Sequence, residues 1–240
     1  MSSPTDSIWL RPESAGVGRP AEHTRADIAA AAIAVAEAGG FKAMTMRGVA
    51  AELGTGAASL YRYVRNRGEL LELVADHLYG RLPLRRTGKG PRADTIEVLM
   101  EGFRQLREQL WFADLLMERP FVTGPGSVRM LEHYLTVLDT NSASGPEKME
   151  AVGVMAGMVM NYSSFVLHRN MPELIANQAL YLTHVAQGGE HPHIAAVFAT
   201  PHVGGAGQEP PEATLERILG QVYDGMLGAT DPPADPTSGP

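Results

Sequence analysis

The stretch from Thr45 to Arg67 constrains this chain more than any other. It holds two short helical patterns on either side of a glycine-marked turn. The first runs from about Met46 to Leu53 and puts Val49, Ala50 and Leu53 on one face. Thr45 precedes it, with a side-chain oxygen able to accept a free first-turn N–H. Gly54 follows it, and glycine enters the left-handed conformation cheaply at a helix C-terminus. The second pattern runs from about Ala57 to Tyr63, with Leu60 and Val64 facing inward and Arg62, Arg65 and Arg67 gathered at its far end. Two short helices joined by such a turn read as a helix-turn-helix unit. A unit of this kind lays its second helix in the major groove of DNA.

The net charge of −7 runs against that reading until it is divided along the chain. Residues 1–92 carry 13 Lys and Arg against 9 Asp and Glu, a net +4; residues 93–240 carry 7 against 18, a net −11. A basic part joined to an acidic one suits a module that meets phosphate and a second module held away from it. The chain has no cysteine, which removes disulfides, thiolate ligands and thiol nucleophiles and fits a cytoplasmic protein. Residues 1–20 contain no apolar stretch of the kind a secretory signal needs. The longest uncharged apolar run, Ala151 to Leu167, includes Asn161, Tyr162, Ser163 and Ser164. It falls short of the ~20 residues of a membrane span, so it reads as a buried helix and no membrane partner is expected.

Taken in order, residues 1–22 are rich in Pro, Gly and Ser and read as a disordered arm, either a solvated tail or a basic arm along DNA. Residues 23–90 form the helix-turn-helix domain. Its first helix spans Thr24 to Ala38, and a fourth starts near Glu69 with Leu70, Leu71, Val74 and Leu78 on one stripe. Residues 91–227 read as a larger, entirely helical second domain. Its helices are expected over Asp94–Leu110, Trp111–Glu118, Ser127–Leu138, Glu147–Arg169, Ala176–Ala186 and Pro211–Leu227, with a short apolar turn at Ile194–Phe198. Residues 228–240 read as a disordered tail. The fold class is all-α, with no convincing strand.

Ala26 to Leu82 resembles the N-terminal domain of TetR-family transcriptional regulators. The resemblance is carried by Thr45-Met-Arg47, Val49-Ala50, Leu53-Gly54, Leu60-Tyr61, Val64-Arg-Asn66 and the Leu70-Leu71 pair. More weakly, Gly102-Phe103-Arg104, Arg119-Pro120 and Leu215-Glu-Arg-Ile218 are similar to the ligand-binding domain of the tetracycline-repressor branch. The resemblance implies an all-helical homodimer that binds a DNA operator and is released by a small molecule. It further implies DNA contacts from Thr45, Arg47, Ala57, Ala58, Ser59, Tyr61, Arg62, Tyr63 and Arg67, with Arg67 holding phosphate. Phe103 falls where the tetracycline branch has a pocket aromatic. Two departures stand out: Leu82-Pro-Leu-Arg85 replaces a His-rich segment, and Gly56 replaces the usual side-chain cap of the recognition helix.

From the residue chemistry, Ala57 and Ala58 offer only apolar contact, for example to a thymine methyl. Arg62 is the best base reader, since guanidinium pairs bidentately with guanine, or else it touches phosphate. The candidate pocket residues are Phe103, Trp111, Met117, Tyr134, Asn161, Tyr162 and Phe165, an apolar set with a few polar groups. Met155, Met158 and Met160 suggest an adaptable wall. Gly153-x-x-x-Gly157 permits close helix approach, either within the chain or across a dimer formed by helices near 147–169 and 211–227. The band Val152, Met155, Ala156, Val159 and Met160 is expected to need a covering partner helix.

His184, His191, His193 and His202 match no compact metal motif, and no metal or cofactor is expected. His133 and His168 fall on helices, where they could serve as polar groups of a pocket. No nucleophile–base pair or phosphate loop is present, so the chain is not expected to be an enzyme; a helical interaction module is the other alternative.

Overall fold

A computed structural model describes residues 7–12, 22–120, 122–168, 172–199 and 209–228. These fold into eleven α-helices with no strand among the described residues. The helices are α1 (Arg25–Gly39), α2 (Met46–Glu52), α3 (Ala57–Leu60), α4 (Arg67–Arg81), α5 (Pro91–Glu108), α6 (Leu110–Glu118), α7 (Pro125–Val137), α8 (Gly145–His168), α9 (Pro172–Gln187), α10 (Pro192–Ala199) and α11 (Pro211–Leu227).

The head consists of α1 to α3 and the first half of α4. A reciprocal cap starts α1: Thr24 Oγ1 accepts from the Asp27 N–H at 3.1 Å, and Asp27 Oδ2 accepts from the Thr24 N–H at 2.8 Å. Thr45 starts α2 by accepting from the Gly48 N–H at 3.1 Å. Gly54, at φ +68°, turns the chain into α3. Asn66 caps α4 by accepting from the Glu69 N–H at 3.0 Å. Ile28, Met44, Val49, Leu60, Val64, Leu71 and Val74 close the core of the head. The recognition helix is shorter than the expected Ala57–Tyr63: α-helix ends at Leu60, and turn continues through Tyr63. With no side chain on Gly56 to hold the first turn, α3 is fixed by the burial of Leu60 and Val64 instead.

In the body, α8 packs against α5, α6, α7 and α11, while α9 and α10 pack chiefly on one another. Arg92 binds Asp224 with Nε at 2.7 Å and Nη2 at 3.0 Å, tying the start of α5 to the end of α11. Asn141 Nδ2 donates to the Leu227 carbonyl at 2.9 Å. The expected turn at Ile194–Phe198 is a full helix, α10, which Pro192 opens at its first position. The expected band on α8 is covered from within the chain: Val152, Met155 and Val159 are buried, and Ala156 and Met160 are half-buried against the core. The helices that cover it are α5, α6, α7 and α11 of the same chain.

The N-terminal segment corrects the expectation of a disordered arm over residues 1–22. Residues 7–12 are ordered, with a 3-10 turn at Ile8–Leu10; residues 1–6 and 13–21 lie outside the described set. Ile8 is fully buried, and Trp9 donates from Nε1 to Glu72 of α4 at 2.7 Å. Arg11 pairs with Glu69 at 2.5 Å, and Arg25 donates to the Arg11 carbonyl at 2.8 Å. Composition concealed this because only two apolar residues, Ile8 and Trp9, are needed to anchor so short a strap. The expected tail at 228–240 lies outside the described residues from 229 onward.

Candidate DNA-binding head and ligand cavity

At the tip of the head, Arg47, Ala58, Tyr61 and Arg62 are exposed, and Ala57 and Ser59 are half-buried beside them. Tyr61 is 51% exposed, so its ring faces outward rather than into the core. Arg62 Nη2 donates to Ser59 Oγ at 2.6 Å, which steadies the guanidinium along the helix surface. Thr45 is exposed, but its hydroxyl is occupied as the α2 cap.

Two of the expected DNA contacts have other partners. Tyr63 is half-buried against the core and meets His23 edge-on at 6.3 Å between ring centroids. Arg67 pairs with Glu118 at the end of α6 and lies 4.8 Å over the Phe41 ring. Arg67 therefore belongs to the joint between head and body as well as to the basic end of the head.

That joint is built on α4. Its middle carries Asp76, only 5% exposed, which accepts from the Gly126 N–H at 2.9 Å, the Ser127 N–H at 2.8 Å and Ser127 Oγ at 3.1 Å. Free N–H groups at the start of α7 thus end on a carboxylate of α4. Gly126 is required there, because a Cβ would sit 2.1 Å from the Asp76 carbonyl oxygen. Glu72 accepts from Arg119 Nη2 at 2.6 Å, and Arg129 Nη2 donates to the Gly80 carbonyl at 2.7 Å at the end of α4. Cation and carboxylate pairs thus fasten the first half of α4 to the end of α6, and a cation on backbone carbonyls fastens its C-terminal end to α7.

Beyond the joint, α4 reaches a cavity of about 200 Å³. Tyr79 of α4 and Leu82, the residue that follows the helix, form one wall. The others come from Leu99, Gly102, Gln105 and Leu106 of α5, Phe112 and Leu116 of α6, Met130 and Tyr134 of α7, and Met149, Val152, Gly153, Ala156, Val159 and Met160 of α8. No side chain in the wall is charged. Burial pushes the Tyr79 phenol up to about 12, and burial likewise raises Tyr134. Both therefore remain neutral hydrogen-bond donors throughout the physiological range.

Of the seven expected pocket residues, only Tyr134 lines this cavity. Phe103 is fully buried on a different side of α5 from Gly102 and packs 6.0 Å from Tyr162. Adjacent residues on a helix point about 100° apart, so Gly102 faces the cavity where Phe103 cannot. Trp111 is buried in the neighbouring core. Met117 is 70% exposed and borders a void of about 10 Å³. Asn161 and Phe165 lie on an exposed stripe of α8 with Val154 and Gly157, and Tyr162 bridges Phe103 to Phe165.

The residues missed were those of α4, which sequence pattern assigned wholly to the head, and the small residues Gly102, Gly153 and Ala156, which leave room rather than fill it. His133 is half-buried but outside the cavity wall; the His168 side chain and His202 lie outside the described residues. His184, His191 and His193 are exposed. No cluster of three potential metal ligands occurs among the described residues, and no described helix is long and apolar enough to cross a membrane.

Residues 28–74 match the profile of bacterial regulatory proteins, tetR family. The chain is similar to TetR-family regulators through that stretch. Its relatives are transcriptional regulators. The transcriptional repressor DrrR1 of Streptomyces coeruleorubidus is 33% identical over 145 residues, covering 60% of this chain and 53% of that protein. The match thus spans about half the length of the repressor. A transcriptional regulator of Saccharopolyspora erythraea is 28% identical over 195 residues, covering 80% of this chain and 81% of that protein. The fold is matched by apo ActR of Streptomyces coelicolor, at a TM-score of 0.73 and 23% identity over 88% of this chain and 100% of that chain. The same protein in complex with actinorhodin matches at 0.69 and 21% over 88% and 100%.

Proposed function

We propose that this chain is a TetR-family transcriptional repressor that leaves a near-palindromic DNA operator when a small molecule enters the cavity. One observation carries the reading: α4 runs from the helix-turn-helix to the cavity. Its N-terminus stands behind the recognition turn through Asn66 and Arg67, and its C-terminus walls the cavity through Tyr79 and Leu82. A ligand that displaces the cavity end of α4 moves the head. It shifts the DNA equilibrium only to the extent that it binds the DNA-free arrangement better.

Dimerisation is part of this reading. The stripe Val154, Gly157, Asn161 and Phe165 on α8, with Met226 on α11, is exposed in the single chain, and Cβ atoms added at Gly153 or Gly157 would meet nothing within 4 Å. An uncovered stripe of small and apolar residues on the helices near 147–169 and 211–227 suits a second copy. The cavity wall has no nucleophile–base pair, which favours binding over turnover. An operator target implies a cytoplasmic site of action.

Selection of bound duplexes from a random DNA pool tests the reading. The expected product is an inverted repeat whose half-sites lie about one helical turn, or a multiple, apart. Recovery of no enriched sequence, or of a single unrepeated half-site, would overturn it. A promoter–reporter carrying the selected repeat should fall in output when the protein is present.

A further inference from the structure

The polar groups available to a cavity ligand are few and all neutral. Tyr79 and Tyr134 face the cavity from α4 and α7, and Gln105 from α5. Neither phenol is hydrogen-bonded among the described residues. Two hydroxyls that meet no protein partner beside a void leave hydrogen-bonding capacity for an occupant. No Lys, Arg or His stands in the wall to pair a carboxylate or phosphate, and no Asp or Glu to pair an amine. A charged ligand would lose its hydration without compensation.

Volume bounds the ligand from the other side. A cavity of about 150 Å³ lined by aliphatic groups holds benzene. The 200 Å³ here admits one or two fused rings with the wall at rest. The flexible thioethers of Met130, Met149 and Met160 allow modest growth, and Met149, 38% exposed, stands at the mouth.

We propose that the effector is an uncharged, largely apolar molecule of one or two rings bearing a carbonyl-type acceptor, held by the hydroxyls of Tyr79 and Tyr134. This rests on the reading of the cavity as the effector site. The two tyrosines are the specificity-determining residues. One of them, Tyr79, lies on α4 itself, so the same contact that selects the ligand bears on the helix that carries the head.

Three probes sharing one skeleton separate the elements of the proposal: indane, 1-indanone and indane-1-carboxylate. Their binding to the full, DNA-free chain is measured by calorimetry and ligand-observed NMR. The ketone is expected to bind about three- to ten-fold more tightly than the hydrocarbon, as one or two net hydrogen bonds allow. The carboxylate is expected not to bind. In the Tyr79→Phe/Tyr134→Phe double variant the ketone should fall to within about two-fold of indane. Retained indane binding by that variant shows an intact cavity.

Carboxylate binding equal to the ketone, a ketone advantage that survives both substitutions, or binding of none of the three overturns the proposal. A parallel anisotropy measurement on the selected operator keeps the two readings apart. Ketone binding with unchanged DNA affinity overturns the ligand-released repressor and leaves the cavity chemistry standing. DNA binding released by some other ligand, with no ketone binding, does the reverse.

Discussion

In the head, Thr45, Gly54, Leu60, Val64 and Asn66 lie in one continuous stretch, and each performs its structural task on neighbours a few residues away. The cavity takes its wall from five helices, between Tyr79 and Met160. The head is thus a local construction stabilised by caps and a small core. The body encloses a void whose walls are set by how α4, α5, α6, α7 and α8 cross. The difference teaches where damage should travel: lesions in the head stay in the head, while lesions at the α4 joint reach both sites.

The sharpest test of that contrast is Gly126→Ala. The new Cβ would meet backbone of α4, 2.1 Å from the Asp76 oxygen and 2.7 Å from the Gly80 nitrogen, so the helices must part. We expect a loss of roughly 3 kcal/mol or more in urea unfolding, with DNA binding and indanone binding declining together. A wild-type midpoint would show that the crossing can spread and would remove the joint's special status.

Leu60→Ala should act on the head alone. Leu60 is 1% exposed, and truncating such a residue costs about 2–5 kcal/mol. DNA retention should vanish while indanone binding persists; loss of both would break the contrast. Arg62→Ala should cost about 1–3 kcal/mol of preference for the selected operator over a scrambled one, with no change in unfolding midpoint. Equal loss on both duplexes would reassign Arg62 to phosphate contact.

Trp9→Phe should cost about 1 kcal/mol, by deleting the donor to Glu72 while retaining most of the packing. Unchanged thermal unfolding would relegate the strap to decoration of the joint. The smallest effect is one of pH. Burial, followed by the neighbouring Arg81 for His77 and Arg86 for His133, holds both imidazoles below their ordinary range. The unfolded chain therefore takes up these protons first as pH falls, so stability is full above about 6.5 and declines below it. Replacing both residues with Gln should flatten part of the decline between about pH 7.5 and 5.5; an identical profile would assign it wholly to carboxylates.

The helix-turn-helix was legible because its evidence is local: a cap at Thr45, a left-handed glycine at Gly54 and an apolar stripe each follow from spacing alone. The candidate pocket was less legible for the same reason. Tyr134 lines the cavity while Phe103, Trp111, Asn161, Tyr162 and Phe165 lie away from it, since aromatic character marks core, cavity and exposed stripe alike. The strap at Ile8–Arg11 was hidden by its Pro- and Gly-rich surroundings.

Alone, the amino-acid sequence determined the helical class, the position of the head, the charge division and the resemblance of its first part to a known family. Caps, periodicity and charge act over a turn or two of helix and leave a periodic trace in the chain. Tertiary structure decided what α4 connects, which face of α8 is covered, and which residues surround empty space. A void is defined by side chains that are missing or small, at Gly102, Gly153 and Ala156, and by the crossing angles of helices far apart in sequence. Those are properties of packing, which no single stretch of the chain carries by itself.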